Sequence, residues 1–138
     1  MNLYVDSSVL LRVVLGERAR LREWATMTSA TASELIRLEC LRTVDRARIR
    51  LGLGDEAVAT HRASILEAVG AFSLVPVDGS VLDRASAPFP TLIGSLGAIH
   101  LASAMAAREI IPDLAFATHD VELGRAARSV GFRVLGTA

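Results

Sequence analysis

The chain has 138 residues, 51% of them hydrophobic, enough for one domain with a substantial core that needs no disulfide. Acidic and basic residues balance at 15 each, yet every base is arginine and none is lysine. No apolar run approaches the roughly 18–20 residues of a membrane span, no basic leader precedes the first strand, and a lone cysteine, Cys40, cannot form an internal disulfide. A cytoplasmic protein is the expectation.

The balance is uneven along the chain. Residues 1–50 carry nine arginines against six acids, a net charge of +3, and residues 51–138 carry six against nine, a net charge of −3. The first group clusters at Arg12, Arg18, Arg20 and Arg22 and again at Arg37, Arg42, Arg46, Arg48 and Arg50. Guanidinium forks suit phosphate, so this half offers a nucleic-acid face. Taken alone, this pattern is better explained by the compositional bias of a GC-rich genome and by ordinary solvated helix faces.

Leu3-Tyr4-Val5 opens the chain as a short buried strand. Asp6 ends it, and Ser7-Ser8 offer hydroxyl caps for a helix from Ser7 to Leu15, stopped by Gly16. A second helix is predicted over Glu17–Met27 with Trp24 as core anchor, followed by a short strand at Ser29–Ala32. Ser33 then caps a long helix over Glu34–Leu51, closed by Gly52 and Gly54. A helix over Asp55–Val69 leads into a strand at Phe72–Val77, interrupted by Pro76 and so short or near an edge. Gly79–Ala87 makes one or two helical turns before Pro88 and Pro90. The next helix spans Ser95–Glu109. Leu114–Thr118 is a second buried strand, Val121–Val130 a helix, and Phe132–Leu135 a last strand. Strands alternating with helices predict an α/β fold, a three-layer α/β/α sandwich around a mostly parallel sheet, in a single domain over residues 1–138.

Two strand-to-helix switches each deliver an acid to the carboxyl edge of this sheet, where open α/β folds bind ligands: Asp6 after the first strand and Asp120 after Leu114–Thr118. Either could be a helix cap and nothing more. Glu39 adds a third acid, because its spacing from Leu35, Ile36 and Thr43 sets it on the apolar face of its helix. A carboxylate there needs a partner, either a bound cation or an arginine such as Arg12 or Arg42. Three converging acids without a Cys/His cluster favour Mg²⁺ or Mn²⁺ over zinc. His100 and His119 lie near this site, His100 as a packed or hydrogen-bonded residue; His61 falls on the surface.

Taken together, Val5-Asp6-Ser7-Ser8, Ser33-Glu34-Leu35-Ile36-Arg37-Leu38-Glu39, Leu96-Gly97-Ala98-Ile99-His100-Leu101-Ala102-Ser103-Ala104 and Thr118-His119-Asp120 resemble, in order and spacing, a PIN-domain ribonuclease of the VapC toxin type. The resemblance covers nearly the whole chain. It implies a PIN-like fold and an Mg²⁺- or Mn²⁺-dependent endoribonuclease, the toxin of a toxin–antitoxin pair. The metal would be held by Asp6, Glu39, an acid at position 97 and Asp120, with Ser8 and Thr118 orienting carboxylates or substrate. It further implies a cognate antitoxin that covers the cleft, an RNA substrate contacted by the arginine-bearing helices, and a homodimer.

One position departs from the pattern. The family reads Leu-Asp-Ala-Ile-His-Leu-Ala, and here Gly97 stands where that Asp belongs, which is expected to impair metal binding and cleavage severely. Glycine inside a helix also costs up to ~1 kcal/mol relative to alanine. A substitution introduced to tame a toxic nuclease and a natural loss both account for it; the intact remaining acids favour the first. The alternative function is a non-catalytic PIN scaffold that sequesters antitoxin or RNA. A phosphatase or receiver built on Asp6, and a P-loop nucleotide-binding protein, both require a lysine that this chain lacks.

Overall fold

In the computed structural model, which describes residues 1–137, successive residues of the first strand face opposite ways, and this alternation divides the core. β1 (Asn2–Val5) sends Leu3 and Val5 into one apolar cluster and Tyr4 into another. The first cluster collects Val9 and Leu10 of α1 (Ser7–Val14), Ile36, Cys40 and Val44 of α2 (Leu35–Arg50), and Ile65 and Val69 of α3 (Asp55–Gly70). The second collects Leu101, Ala104 and Ala107 of α5 (Ser95–Arg108) and Leu123, Ala126 and Ala127 of α6 (Val121–Ser129). Tyr4 lies stacked on Phe116 there, with ring centroids 5.1 Å apart.

The sheet between these layers contains β2 (Ser29–Ser33), β3 (Ser73–Val75), β4 (Ala115–Ala117) and β5 (Val134–Leu135) beside β1. Its order is β3-β2-β1-β4-β5 and every pairing is parallel. The three-layer α/β/α arrangement expected from the sequence is therefore present, with a sheet parallel throughout rather than mostly. α4 (Gly79–Ala85) packs on α5 at the approach to the second layer. β1 sits at the centre, where the chain turns to β2 on one side and β4 lies on the other. Asp6 leaves the sheet at this switch point.

Several local expectations need correction. The helix over Glu17–Met27 is absent; only a 3-10 turn forms at Arg22–Ala25. Residues 16–20 are all exposed, so a helix there would have no face to bury, and Gly16 ends α1 with φ 67°. Trp24 is half-buried at the rim of the core, edge-on to Phe72. α1 is capped by Asp6 itself, whose carboxylate accepts from the Val9 N–H, not by Ser7 or Ser8. α2 starts one residue later than expected, at Leu35, although the Ser33 hydroxyl does accept from the Leu35 N–H. β3 and β5 are shorter than their apolar runs, as befits the two edge strands. Among the described residues no helix is long and apolar enough to cross a membrane.

Candidate active site

Parallel register builds the first half of the site. Val5 pairs with Ala117, so the residues that follow, Asp6 and Thr118, emerge side by side at the carboxyl edge. The Thr118 hydroxyl donates to Asp6 Oδ2 at 2.5 Å, and the Ser8 hydroxyl donates to Asp6 Oδ1 at 2.6 Å, beside the Val9 N–H at 3.2 Å. Asp6 is only 4% exposed and, among the described residues, no arginine or histidine comes within 4.0 Å of it, although His100 acts on it at longer range. Burial raises its pKa, against the lowering pull of the Ser8 and Thr118 hydrogen bonds. Both hydroxyls also accept: Ser8 Oγ from the His119 N–H at 2.9 Å and Thr118 Oγ1 from the Asp120 N–H at 3.0 Å. Ser8 and Thr118 thus tie Asp6 to the turn that carries Asp120.

The second half hangs on Tyr4. Its hydroxyl accepts from the Ser33 N–H at 3.1 Å and donates to His100 Nδ1 at 2.9 Å. Burial pushes the Tyr4 pKa well up, so this proton stays in place. With Nδ1 accepting, His100 carries its hydrogen on Nε2 and donates it to Glu39 Oε1 at 2.6 Å. Glu39 is half-buried as its spacing implied, but its partner is His100; Arg42 pairs with Asp45 instead. Cys40 beside it is buried, and its pKa is pushed up to about 12, first by burial and then by the charges of Glu39 and Asp6.

Asp120 caps α6 through the Leu123 N–H and is exposed. It lines one cavity of about 350 Å³ together with Gly97, Ile93 and Leu123. Glu39 lines another of about 320 Å³ with Arg42, Thr43 and Arg46. Leu96 is a wall of both. Of the acids expected to converge, Asp6 lies enclosed by hydroxyls, Glu39 lines one of these cavities, and Asp120 lines the other beside position 97.

Donor chemistry tests whether a divalent ion fits. Among the described residues no three His, Cys, Asp or Glu side chains come close enough together to hold a metal ion. At Gly97 a Cβ would stand 3.0 Å from Ile93 Cγ1 and 3.3 Å from its Cδ1, so a side chain at 97 requires Ile93 to give by a few tenths of an ångström. The residues present do not complete a metal site.

Sequence reasoning missed Tyr4 as the anchor of Glu39. The signal available was a lone polar atom on an otherwise apolar central strand, which must find a partner once buried.

A PIN-domain family model matches residues 3–129. The chain belongs to the PIN-domain family. It is 31% identical over 137 residues to Ribonuclease VapC47 of Mycobacterium tuberculosis (strain CDC 1551 / Oshkosh), a match covering 94% of this chain and 93% of that protein. The similarity sets it among VapC-type PIN domains.

Proposed function

We propose that this chain is the toxin of a type II toxin–antitoxin pair, built as an RNA endonuclease that uses Mg²⁺ or Mn²⁺, and that Gly97 leaves its cleavage impaired. One observation carries the reading: the hydroxyl cage around buried, cation-free Asp6 is intact while position 97 has no carboxylate. A buried carboxylate with raised pKa and no counterion has the environment of a cation ligand. A divalent ion would supply an activated water and screen charge on the scissile phosphate. Asp6, Glu39 and Asp120 would hold it, completed by an acid at 97. In the chain as it stands, Tyr4 and His100 fix Glu39, Ser8 and Thr118 fix Asp6, and the exposed arginines of α2 attract RNA phosphates or the acidic groups of a cognate antitoxin.

The test is metal-dependent RNA cleavage by this chain, by Gly97→Asp, and by Gly97→Asp with Asp6→Ala. Because Ile93 Cγ1 and Cδ1 crowd position 97, Gly97→Asp is also made with Ile93→Ala. Cleavage by the restored variants that disappears with Asp6→Ala supports the reading. If no variant cleaves any RNA while all bind antitoxin, the chain is a binding scaffold.

A further inference from the structure

Two cavities of the candidate site share one wall. The cavity of about 320 Å³ that Glu39 lines and the cavity of about 350 Å³ that Asp120 lines are both bounded by Leu96. Leu96 stands in the first turn of α5 and is 54% exposed, while Leu38 of α2, 58% exposed, walls the Glu39 cavity. We propose that Leu96 is a specificity-determining residue of this site, a wedge that opens one base step of a single RNA strand so that neighbouring nucleotides seat in the two cavities. The inference rests on the reading that RNA binds at these acids, and names the form of RNA the site accepts and the side chain that selects it.

The chemistry of the lining sets Leu96 apart. Ser7, Arg42, Thr43 and Arg46 surround Glu39, and Ser95 and Glu122 accompany Asp120. Sugar and phosphate groups answer these polar side chains. An aliphatic side chain gains nothing from a phosphate oxygen, and the apolar part of a nucleotide is the face of its base. An exposed leucine rimmed by polar groups therefore marks contact with a base face. No aromatic side chain is in the lining of either cavity, so the apolar contact falls to the leucines.

The form of RNA follows from the same contact. In a duplex each base face is covered by its stacked neighbours, whereas single strands and loops can splay a base out. Leucine is among the side chains that nucleic-acid-binding proteins drive between base steps. Both volumes lie at the small end of ligand-sized cavities, so each suits one nucleotide and not a turn of duplex. A wedge must also be stiff. Just beyond Leu96 in the same helix, Ala98, His100 and Leu101 are buried, and His100 is hydrogen-bonded to Tyr4 of the central strand and to Glu39. The turn that carries Leu96 is thus braced against the sheet edge from which the acids project.

The experiment uses the full chain in EDTA, so that binding is read without cleavage. A short oligoadenylate carries one central 2-aminopurine, a base that is dim when stacked and bright when a neighbour is pulled away. At saturating protein the strand is expected to brighten severalfold, and Leu96→Ala should remove that rise. Fluorescence anisotropy then compares single-stranded RNA with a hairpin duplex. The single strand should bind about fivefold to tenfold tighter, the lower part of the range for one stacked base, and Leu96→Ala should bring the ratio near one. Leu96→Phe, which keeps an apolar face, should keep both signals. Leu96 is exposed, so these variants fold; Ile110→Ala, 84% exposed beyond the other end of α5, should change neither signal. The wedge is overturned if the bound strand stays dim, or if Leu96→Ala leaves brightness and strand preference unmoved. It also falls if Leu96→Ala acts only by splitting a dimer in sedimentation, which would make Leu96 a contact between copies. Absence of RNA binding by the unsubstituted chain overturns the RNA reading as well; binding without the fluorescence rise removes only the wedge.

Discussion

His100 donates to Glu39 across a 2.6 Å hydrogen bond that joins residues 61 positions apart, one on α5 and one on α2, helices on opposite faces of the sheet. The bond crosses over the carboxyl edge of β2, and Tyr4 of the central strand holds the other side of the same imidazole. His100 is 3% exposed, so the relay works in a medium where an unmade hydrogen bond is expensive.

His100→Leu should therefore destabilise the fold by about 1–3 kcal/mol, because it leaves the buried Tyr4 hydroxyl without an acceptor. Tyr4→Phe should cost a similar amount through the orphaned Ser33 N–H and His100 Nδ1. Urea unfolding of the two single variants and the double should give a coupling of about 1 kcal/mol or more, the double being milder than the sum. Strict additivity would mean that the relay is not the unit described.

Asp6 leads to a prediction of opposite sign. Its pKa is raised by burial, so its contribution to stability is fully present below the unfolded carboxylate range near 4 and is lost as pH rises through the folded value. Asp6→Asn keeps a good helix cap and removes the buried charge. At pH 7 in EDTA this variant should melt higher than the unsubstituted chain, by a few degrees, about what 1 kcal/mol gives in a domain of this size. The gap should close as pH falls toward 4. A lower melting temperature for Asp6→Asn at pH 7 would show that the hydroxyl cage more than offsets burial.

Cys40 feels the charges of both Glu39 and Asp6 and reports on the same enclosure. Its Sγ is 3.9 Å from the Ser7 carbonyl, and its pKa moves from 9.0 to about 12. At pH 8 the thiolate is then roughly a thousandfold scarcer than in an open thiol, and labelling by a disulfide reagent should slow by about that factor in the folded chain and recover in urea. Because the folded pKa is the higher one, stability should decline as pH climbs from about 9 toward 12, and Cys40→Ala should flatten that decline. Fast labelling of the native protein would contradict the burial of this helix face.

The sequence was most informative where one chemical signal had one physical outcome. Leu3-Tyr4-Val5, Ala115-Phe116-Ala117 and the apolar spacing of Ile36, Cys40 and Val44 left little choice of element or buried face. Asp6 and Asp120 were legible as edge acids because a strand ends and a helix begins at each. Glu17–Met27 misled because helix propensity there meets no surface to pack against. Glu39 was placed on the right face, but its hydrogen bond to His100 was not foreseen, since a contact between α2 and α5 depends on how two layers meet at an edge and leaves no mark in local spacing.

Position 97 tests how tightly this part of the site is packed. A Cβ at Gly97 meets Ile93 Cγ1 at 3.0 Å and Leu123 Cδ1 at 3.7 Å, so any side chain there must first displace Ile93 by a few tenths of an ångström. Replacing glycine inside a helix gains up to ~1 kcal/mol of propensity, and the Ile93 contact works against it. Gly97→Ala alone should therefore be near neutral in stability. With Ile93→Ala, which removes both Cγ1 and Cδ1, it should be stabilising relative to Ile93→Ala alone, with a favourable coupling of about 0.5–1 kcal/mol in a double-mutant cycle. The same relief should carry over to Gly97→Asp, whose RNA cleavage should be higher in the Ile93→Ala background than alone. If Ile93→Ala leaves both stability and cleavage unmoved, Ile93 yields freely and crowding at position 97 plays no part.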